Sequence, residues 1–369
     1  MDRAIYNHGL ESRITFMRKL ILSLLILVGI AGLILGYFYP QESIQLQIQP
    51  TTDLSNGESE NLKKNPPTSP PLPTPIQIDS QQLYRHLEAI VGERYSEFDR
   101  EYIRNYLVNQ LQDFGFSPHL SSFETGVNIW ARKSGTDPDT GSILIAAHYD
   151  TVQNSPGADD NGTGLAVVLE IARLLANTQT PLTLEIAFFD QEENGLQGSF
   201  TFTSQPENIA HLKGVIILDM VGYACHTSGC QTYPQGLAVN SLLKAAGVES
   251  PDKGEFLAVV GEAEHLELLK FFQKWNQSTR NKTPKIPPIV TVPVPFKGLL
   301  TPDVLRSDHA AFWYQGIPAV LITDTAELRS PHYHQPSDTI DTLDQSFFVG
   351  SAQFILNVVQ DLLHQKLVG

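Results

Sequence analysis

The stretch from Ser142 to Glu170, SILIAAHYDTVQNSPGADDNGTGLAVVLE, restricts this chain more than any other. Residues 143–147 are a short apolar run without polar alternation, the pattern of a strand covered on both faces. The run stops at His148-Tyr149-Asp150. A Gly/Pro loop then delivers Gly157-Ala158-Asp159-Asp160-Asn161-Gly162, and an apolar helical pattern takes over at Leu165. Unpaired carboxylates are too costly to bury in a hydrocarbon core. A strand ending in His-x-Asp and followed by paired aspartates is instead suited to hold a metal at its carboxyl end.

The alternation of apolar runs and helical patterns extends through the chain. Strands are predicted at residues 128–132, 143–147, 182–188, 214–218, 256–260, 289–294 and 319–323. Two helices, 80–91 and 98–114, precede them, and others are predicted at 164–176, 237–246, 263–276, 308–315 and 345–363. Near-continuous apolar strands alternating with helices imply a three-layer α/β/α sandwich around a mostly parallel sheet. In such sheets ligands bind beyond the carboxyl ends of the strands. The net charge of -15, from 40 acidic against 25 basic residues, excludes the basic footprint of a nucleic-acid binder.

The amino terminus has a different character. Residues 20–39 carry no charge and are long enough for a bilayer-spanning helix, with Arg13, Arg18 and Lys19 just before them. The positive-inside rule then places residues 1–19 in the cytoplasm and the rest of the chain on the extracytoplasmic side, periplasmic or extracellular. No small-residue cleavage signal ends the apolar stretch, so it reads as a retained anchor. Residues 40–78 are rich in Pro, Ser, Thr, Gln and Asn and read as a disordered tether. One large domain, 79–369, follows. In an exported domain, Cys225 and Cys230 are expected to form a small structural disulfide.

The carboxyl-end rule can be tested on the polar clusters. His148 and Asp150 follow the first of these strand ends, and Asp190-Gln191-Glu192-Glu193-Asn194-Gly195 follow the next. Asp219 follows residues 214–218. The run 319–323 leads into Pro331-His332-Tyr333-His334-Gln335-Pro336-Ser337-Asp338-Thr339. Imidazole and carboxylate donors without thiolate suit zinc, with manganese or cobalt as substitutes. A hydrolytic zinc site also needs an unligated carboxylate to accept a proton from water, and Glu192-Glu193 offers two adjacent ones.

These motifs, with the order His148-Tyr149-Asp150, Gly157 to Gly162, Glu192-Glu193-Asn194-Gly195, Leu218-Asp219-Met220 and His334-x-x-x-Asp338-Thr339, resemble the co-catalytic di-zinc aminopeptidases. That family includes bacterial leucyl aminopeptidase, aminopeptidase Y and the related glutaminyl cyclases. The resemblance spans the whole domain and implies a phosphorylase/hydrolase-like fold with two Zn2+ ions per chain. It implies Asp159 as the bridging ligand, His148 and Asp219 completing one site, and Glu193 with His334 completing the other. Glu192 would be the general base acting on a water between the metals, and Asp150 would hold His148 in its tautomer. The Asp159–Asp160 peptide would be cis. Arg306 and Tyr333 resemble groups that polarise the substrate carbonyl. His332 competes with His334 as ligand, but the spacing to Asp338-Thr339 matches the family for His334. Ser307-Asp308-His309 reads as a helix N-cap.

The implied activity is that of a membrane-anchored aminopeptidase acting on peptide substrates, its catalytic domain monomeric. Two alternatives remain open. A glutaminyl-peptide cyclotransferase would use a single zinc. A receptor would keep the peptidase fold without catalysis.

Overall fold

The computed structural model describes residues 76–234, 239–279 and 285–365. The anchor expected at residues 20–39, and the tether up to residue 75, lie outside the described residues. At the start of the domain, Ile76 and Ile78 pack on the main core, and Gln353 holds their backbone through Ile78 N (2.9 Å) and Ile76 O (3.1 Å).

Two helices open the domain, each with a side-chain cap. Asp79 accepts from the amides of Gln81 and Gln82 at the start of α1 (Ser80–Ile90), and Ser96 accepts from Asp99 N at the start of α2 (Glu97–Asp113). The strands are β1 (His119–Phe123), β2 (Gly126–Lys133), β3 (Ser142–His148), β4 (Thr183–Phe189), β5 (Leu212–Leu218), β6 (Leu257–Glu262), β7 (Ile289–Val294) and β8 (Ala319–Thr323). Between and after them lie α3 (Gly164–Leu175), α4 (Gln197–Thr203), α5 (Pro206–Ile209), α6 (Val239–Ala246), α7 (Leu266–Thr279), α8 (His309–Tyr314) and α9 (Gln345–His364).

The strands form one eight-stranded sheet in the order β1-β2-β4-β3-β5-β8-β6-β7. Every residue of β3 and β4 is buried, as strands covered on both faces require. Alternate residues feed two cores. Ile143, Ile145 and Ala147 join the core built with α1, α2, α3, α7 and α9, while Leu144 and Ala146 join the one built with α4, α6 and α8. The three-layer expectation therefore holds, but the sheet is mixed. The four central strands, β4, β3, β5 and β8, are parallel; β6 runs antiparallel to β8, carrying β7 with it, and β2 runs antiparallel to β4. A strand buried on both faces reads alike in either direction, which is why its polarity was hidden in the apolar pattern.

Helix α9 is long and apolar enough to cross a membrane, yet 72% of its apolar window is buried inside the domain. It is a core helix, capped by Asp344, which accepts from Phe347 N at 2.8 Å.

Candidate metal centre

Parallel register sets the site. His148, the last residue of β3, pairs with Phe189, the last of β4, while Leu218 at the end of β5 pairs with Ile322 of β8. The polar residues just beyond those ends therefore share one rim of the sheet. Gly157, at φ 58°, turns the chain from the loop after β3 into a turn at Ala158–Thr163 that opens α3. A Cβ at Gly157 would lie 2.4 Å from the Asp160 carbonyl oxygen, so a bare backbone is required there. Asp338 fastens this turn from the far loop: its carboxylate accepts from the amides of Asp159 (2.9 Å) and Asp160 (3.1 Å).

Five side chains converge as two groups of three that share one member. His148, Asp160 and Asp219 form one group, and Asp160, Glu193 and His334 form the other, with donor atoms within 4.8 Å of one another in each. Asp160 Oδ1 lies 3.3 Å from His148 Nε2, and its Oδ2 lies 3.2 Å from His334 Nε2. Asp219 Oδ1 is 3.7 Å from His148 Nε2, and Glu193 Oε2 is 3.0 Å from His334 Nε2.

The shared residue is Asp160 and not the expected Asp159, and the cis peptide is Asp160–Asn161 instead of Asp159–Asp160. Asp159 points away. Its Oδ1 accepts from Thr163 Oγ1 (2.9 Å) and from Gly222 N (3.0 Å). Burial, reinforced by Asp324, pushes its carboxyl well above the usual range. The spacing of two adjacent aspartates cannot say which one the turn aims inward.

The donors fit divalent cations. Glu193 Oε1 is buried without a hydrogen-bond partner among the described residues, while its Oε2 faces His334 Nε2. Buried carboxylates set beside imidazoles, with no thiolate among them, are a donor set that suits zinc. Burial raises Glu193 to about 7, with Asp160 adding to the effect. Burial alone would raise Asp160 too, but the imidazoles of His148 and His334 outweigh it and hold this carboxyl low.

Glu192 stands outside both groups but lines the same cleft. Burial pushes its carboxyl well above the usual range, and Asp219, Asp308 and Glu193 add to this while His148 opposes it. Asp150 braces both elements. Its oxygens accept from the amides of Glu192 (3.0 Å) and Glu193 (3.1 Å), and Oδ1 lies 3.5 Å from His148 Nδ1. Helix α2 adds a further brace: Arg100 Nε pairs with Asp190 Oδ1 at 2.9 Å, and Arg104 Nη1 donates to Tyr149 Oη (3.0 Å), which donates to Asp190 Oδ2 (2.7 Å).

The cleft has a volume of about 670 Å³. The metal-site residues form one end, and Phe256, Ala258, Val260, Val290 and Val292 form an apolar wall. Tyr333 and Arg306 both line it, with Arg306 Nη2 donating to Tyr333 Oη at 3.0 Å and the Tyr333 ring stacked on His334 at 3.7 Å. His332 is turned outward, its Nδ1 2.9 Å from Ser337 Oγ. Asp308 occupies the N-cap position of α8 but makes no side-chain cap bond, contrary to expectation. The turn that precedes α8 leaves Asp308 in a helical conformation, from which the side chain does not reach the free amides. Cys225 and Cys230 form a disulfide.

A family model described as "Peptidase family M28" matches residues 128–252 and 291–359. The uncharacterized protein YfbL of Escherichia coli is 32% identical over 241 residues, covering 61% of this chain and 67% of YfbL. A probable leucine aminopeptidase 1 of Trichophyton verrucosum is 27% identical, covering 63% of this chain and 58% of that protein, so this chain spans little over half of that relative. Among solved structures, the Legionella pneumophila LapA aminopeptidase superposes with a TM-score of 0.59 at 18% identity, covering 78% of this chain and 73% of LapA. A glutaminyl cyclase of Porphyromonas gingivalis superposes with a TM-score of 0.55 at 21% identity, covering 77% and 99% respectively. These two likenesses establish the fold and do not separate the two activities.

Proposed function

The chain belongs to peptidase family M28, and from that premise we propose that it is a zinc-dependent aminopeptidase that removes amino-terminal residues from peptides. The observation that carries the reading is Asp160, whose two oxygens face two separate donor groups. His148, Asp160 and Asp219 would hold one zinc ion; Asp160, Glu193 and His334 would hold the second. When bound, such ions supply Lewis acidity, polarising a peptide carbonyl and acidifying water.

The chain's own residues supply the rest. Glu192 accepts a proton on its carboxylate from the attacking water and returns it to the leaving amine nitrogen. Asp150 holds the two glutamate amides and faces His148 Nδ1, so it keeps Glu192 and the imidazole in a fixed relation. Arg306 donates to the Tyr333 oxygen, which leaves the phenol proton free to point at the carbonyl oxygen of the substrate. The apolar wall of the cleft receives the side chain of the amino-terminal residue and keeps water from it.

The leucine aminopeptidase relative and the two complete donor groups support peptide hydrolysis over cyclisation, since a single-zinc cyclase leaves one group without a use. The disulfide supports an oxidising, extracytoplasmic compartment for the domain, and the uncharged stretch 20–39 supports a membrane anchor ahead of it. The test is a panel of amino-acyl chromogenic substrates and glutaminyl peptides given to the purified, zinc-reconstituted full chain. Zinc-dependent release of the chromogenic amine is expected. Ammonia release with a pyroglutamyl product would replace this reading with the cyclase.

A further inference from the structure

A guanidinium carries a fixed charge and five N–H donors, so a buried arginine demands both acceptors and a negative field. Arg94, in the turn between α1 and α2, is 2% exposed. Each described hydrogen bond from its side chain goes to a backbone carbonyl. Nε donates to Tyr149 O (2.8 Å), and Nη1 to Ile90 O (3.2 Å), Gly92 O (2.8 Å) and Pro156 O (3.0 Å). Nη2 donates to Gly157 O (3.0 Å) and Asp160 O (3.5 Å). Four of these acceptors belong to one segment: the residue after the β3 end, the loop, and Asp160 itself. The Arg94 amide donates to Thr151 Oγ1 at 2.9 Å, so side chain and backbone grip the same loop.

The fit is close. A Cβ at Gly157 would come 2.7 Å from Arg94 Nη2. The charges that attract Arg94 are those of Asp160, Asp338, Asp150 and Glu193. Two of these are members of the donor groups, and the other two brace them. Arg94 also lies before the residues matched by the family model, which begin at 128.

We propose that Arg94 is a positioning residue for the metal centre: it fixes the carbonyls of the 149–160 loop so that Asp160 presents one oxygen to each donor group, and its charge offsets the acids behind them. The proposal rests on the two-zinc reading given above. It differs from an ordinary structural role because it links a residue outside both donor groups to metal affinity.

The test compares Arg94→Lys, Arg94→Met and Leu107→Ala in the full chain, stripped with chelator. Leu107 is a fully buried residue of α2 whose apolar side chain can donate no hydrogen bond to the loop carbonyls, and its truncation serves as a control for lost stability. Zinc affinity is read by competition with a chromophoric chelator, and stability by the melting temperature of the stripped protein. Arg94→Lys, which keeps the charge but loses the fork, is expected to weaken zinc binding about 10- to 100-fold. Arg94→Met is expected to weaken it at least as much, whereas Leu107→Ala should bind zinc as the wild type does despite a lower melting temperature. Wild-type affinity in both arginine variants would overturn the proposal, as would a loss in Leu107→Ala matching that in Arg94→Lys. If neither arginine variant folds, the role is structural and the proposal fails. A wild-type chain that binds no zinc would defeat the two-zinc reading itself, and this inference with it.

Discussion

Replacing Asp160 by Asn exchanges one carboxylate oxygen, and the carboxylate charge, for an amide nitrogen that offers no lone pair to a cation. We expect Asp160→Asn to lower zinc affinity by more than the roughly 100-fold that loss of an outer partner costs, whereas Asp159→Asn should leave zinc content intact. The neighbouring Asp159 accepts from Thr163 and Gly222 through one oxygen, an acceptor that an asparagine amide also offers, so its cost should stay below about 3 kcal/mol of stability. Metal analysis beside urea unfolding separates the two. A parallel pair distinguishes base from ligand. Glu192→Gln should retain zinc while turnover falls about 100- to 10,000-fold, and Glu193→Gln should lose zinc. The opposite pattern would exchange their roles. Residue types at the site were legible from their chemistry, since His148 and Asp219 follow strand ends, whereas the choice of Glu193 over Glu192 and of His334 over His332 came from the family resemblance; the structure brings His148, Asp219, Glu193 and His334 around Asp160. The choice between two adjacent aspartates was not legible, because it depends on the dihedral angles of one turn. Arg94 left no signal, since four of its six side-chain acceptors are backbone carbonyls from a segment more than 50 residues away.

At the scale of the element, the 157–163 turn is where backbone conformation governs chemistry. Gly157→Ala would add a Cβ to a residue at φ 58°, 2.4 Å from both the Asp160 carbonyl and Thr151 Cγ2. The left-handed conformation alone costs about 1 kcal/mol for a residue other than glycine, and the clash must shift the turn. We expect this variant to bind zinc more weakly even where circular dichroism shows an intact domain; unchanged affinity would mean the turn adjusts without moving Asp160. The central strands and most helices could be read from the apolar pattern alone; their caps, Asp79, Ser96 and Asp344, emerged only in the structure. Strand β1 could not, because its residues are largely exposed and its sequence HLSSF carries little apolar signal. Helix α4 escaped for a similar reason: its seven residues are too few to establish a helical period.

For the whole molecule, pH exposes how the two helices at the amino end of the domain are bound to the rest. His86 is fully buried, its ring nitrogens 3.1 Å from Gln82 Nε2 and 3.0 Å from Tyr106 Oη. Burial, helped by Arg173 and Arg85, lowers it from 6.5 to about 4. Between those values the unfolded chain takes up a proton that the folded domain refuses. Stability is therefore lost as pH falls from about 6.5 to about 4, by about 3 kcal/mol in all, and levels off below. Urea unfolding of the chelator-treated chain at pH 7 and pH 4.5 should show a smaller pH difference for His86→Gln than for the wild type; parallel behaviour would assign the acid sensitivity elsewhere. Layer architecture was readable from the chain, but strand direction was not, and that direction has a lasting consequence. The candidate metal donors lie at or beyond the ends of the forward-running strands, while the apolar wall comes largely from the reversed pair β6 and β7. On the proposed reading, reactivity and selectivity are thus carried by separate stretches of the chain, so substitutions at positions such as Val260 and Val292 would retune what enters the cleft and leave every candidate donor untouched.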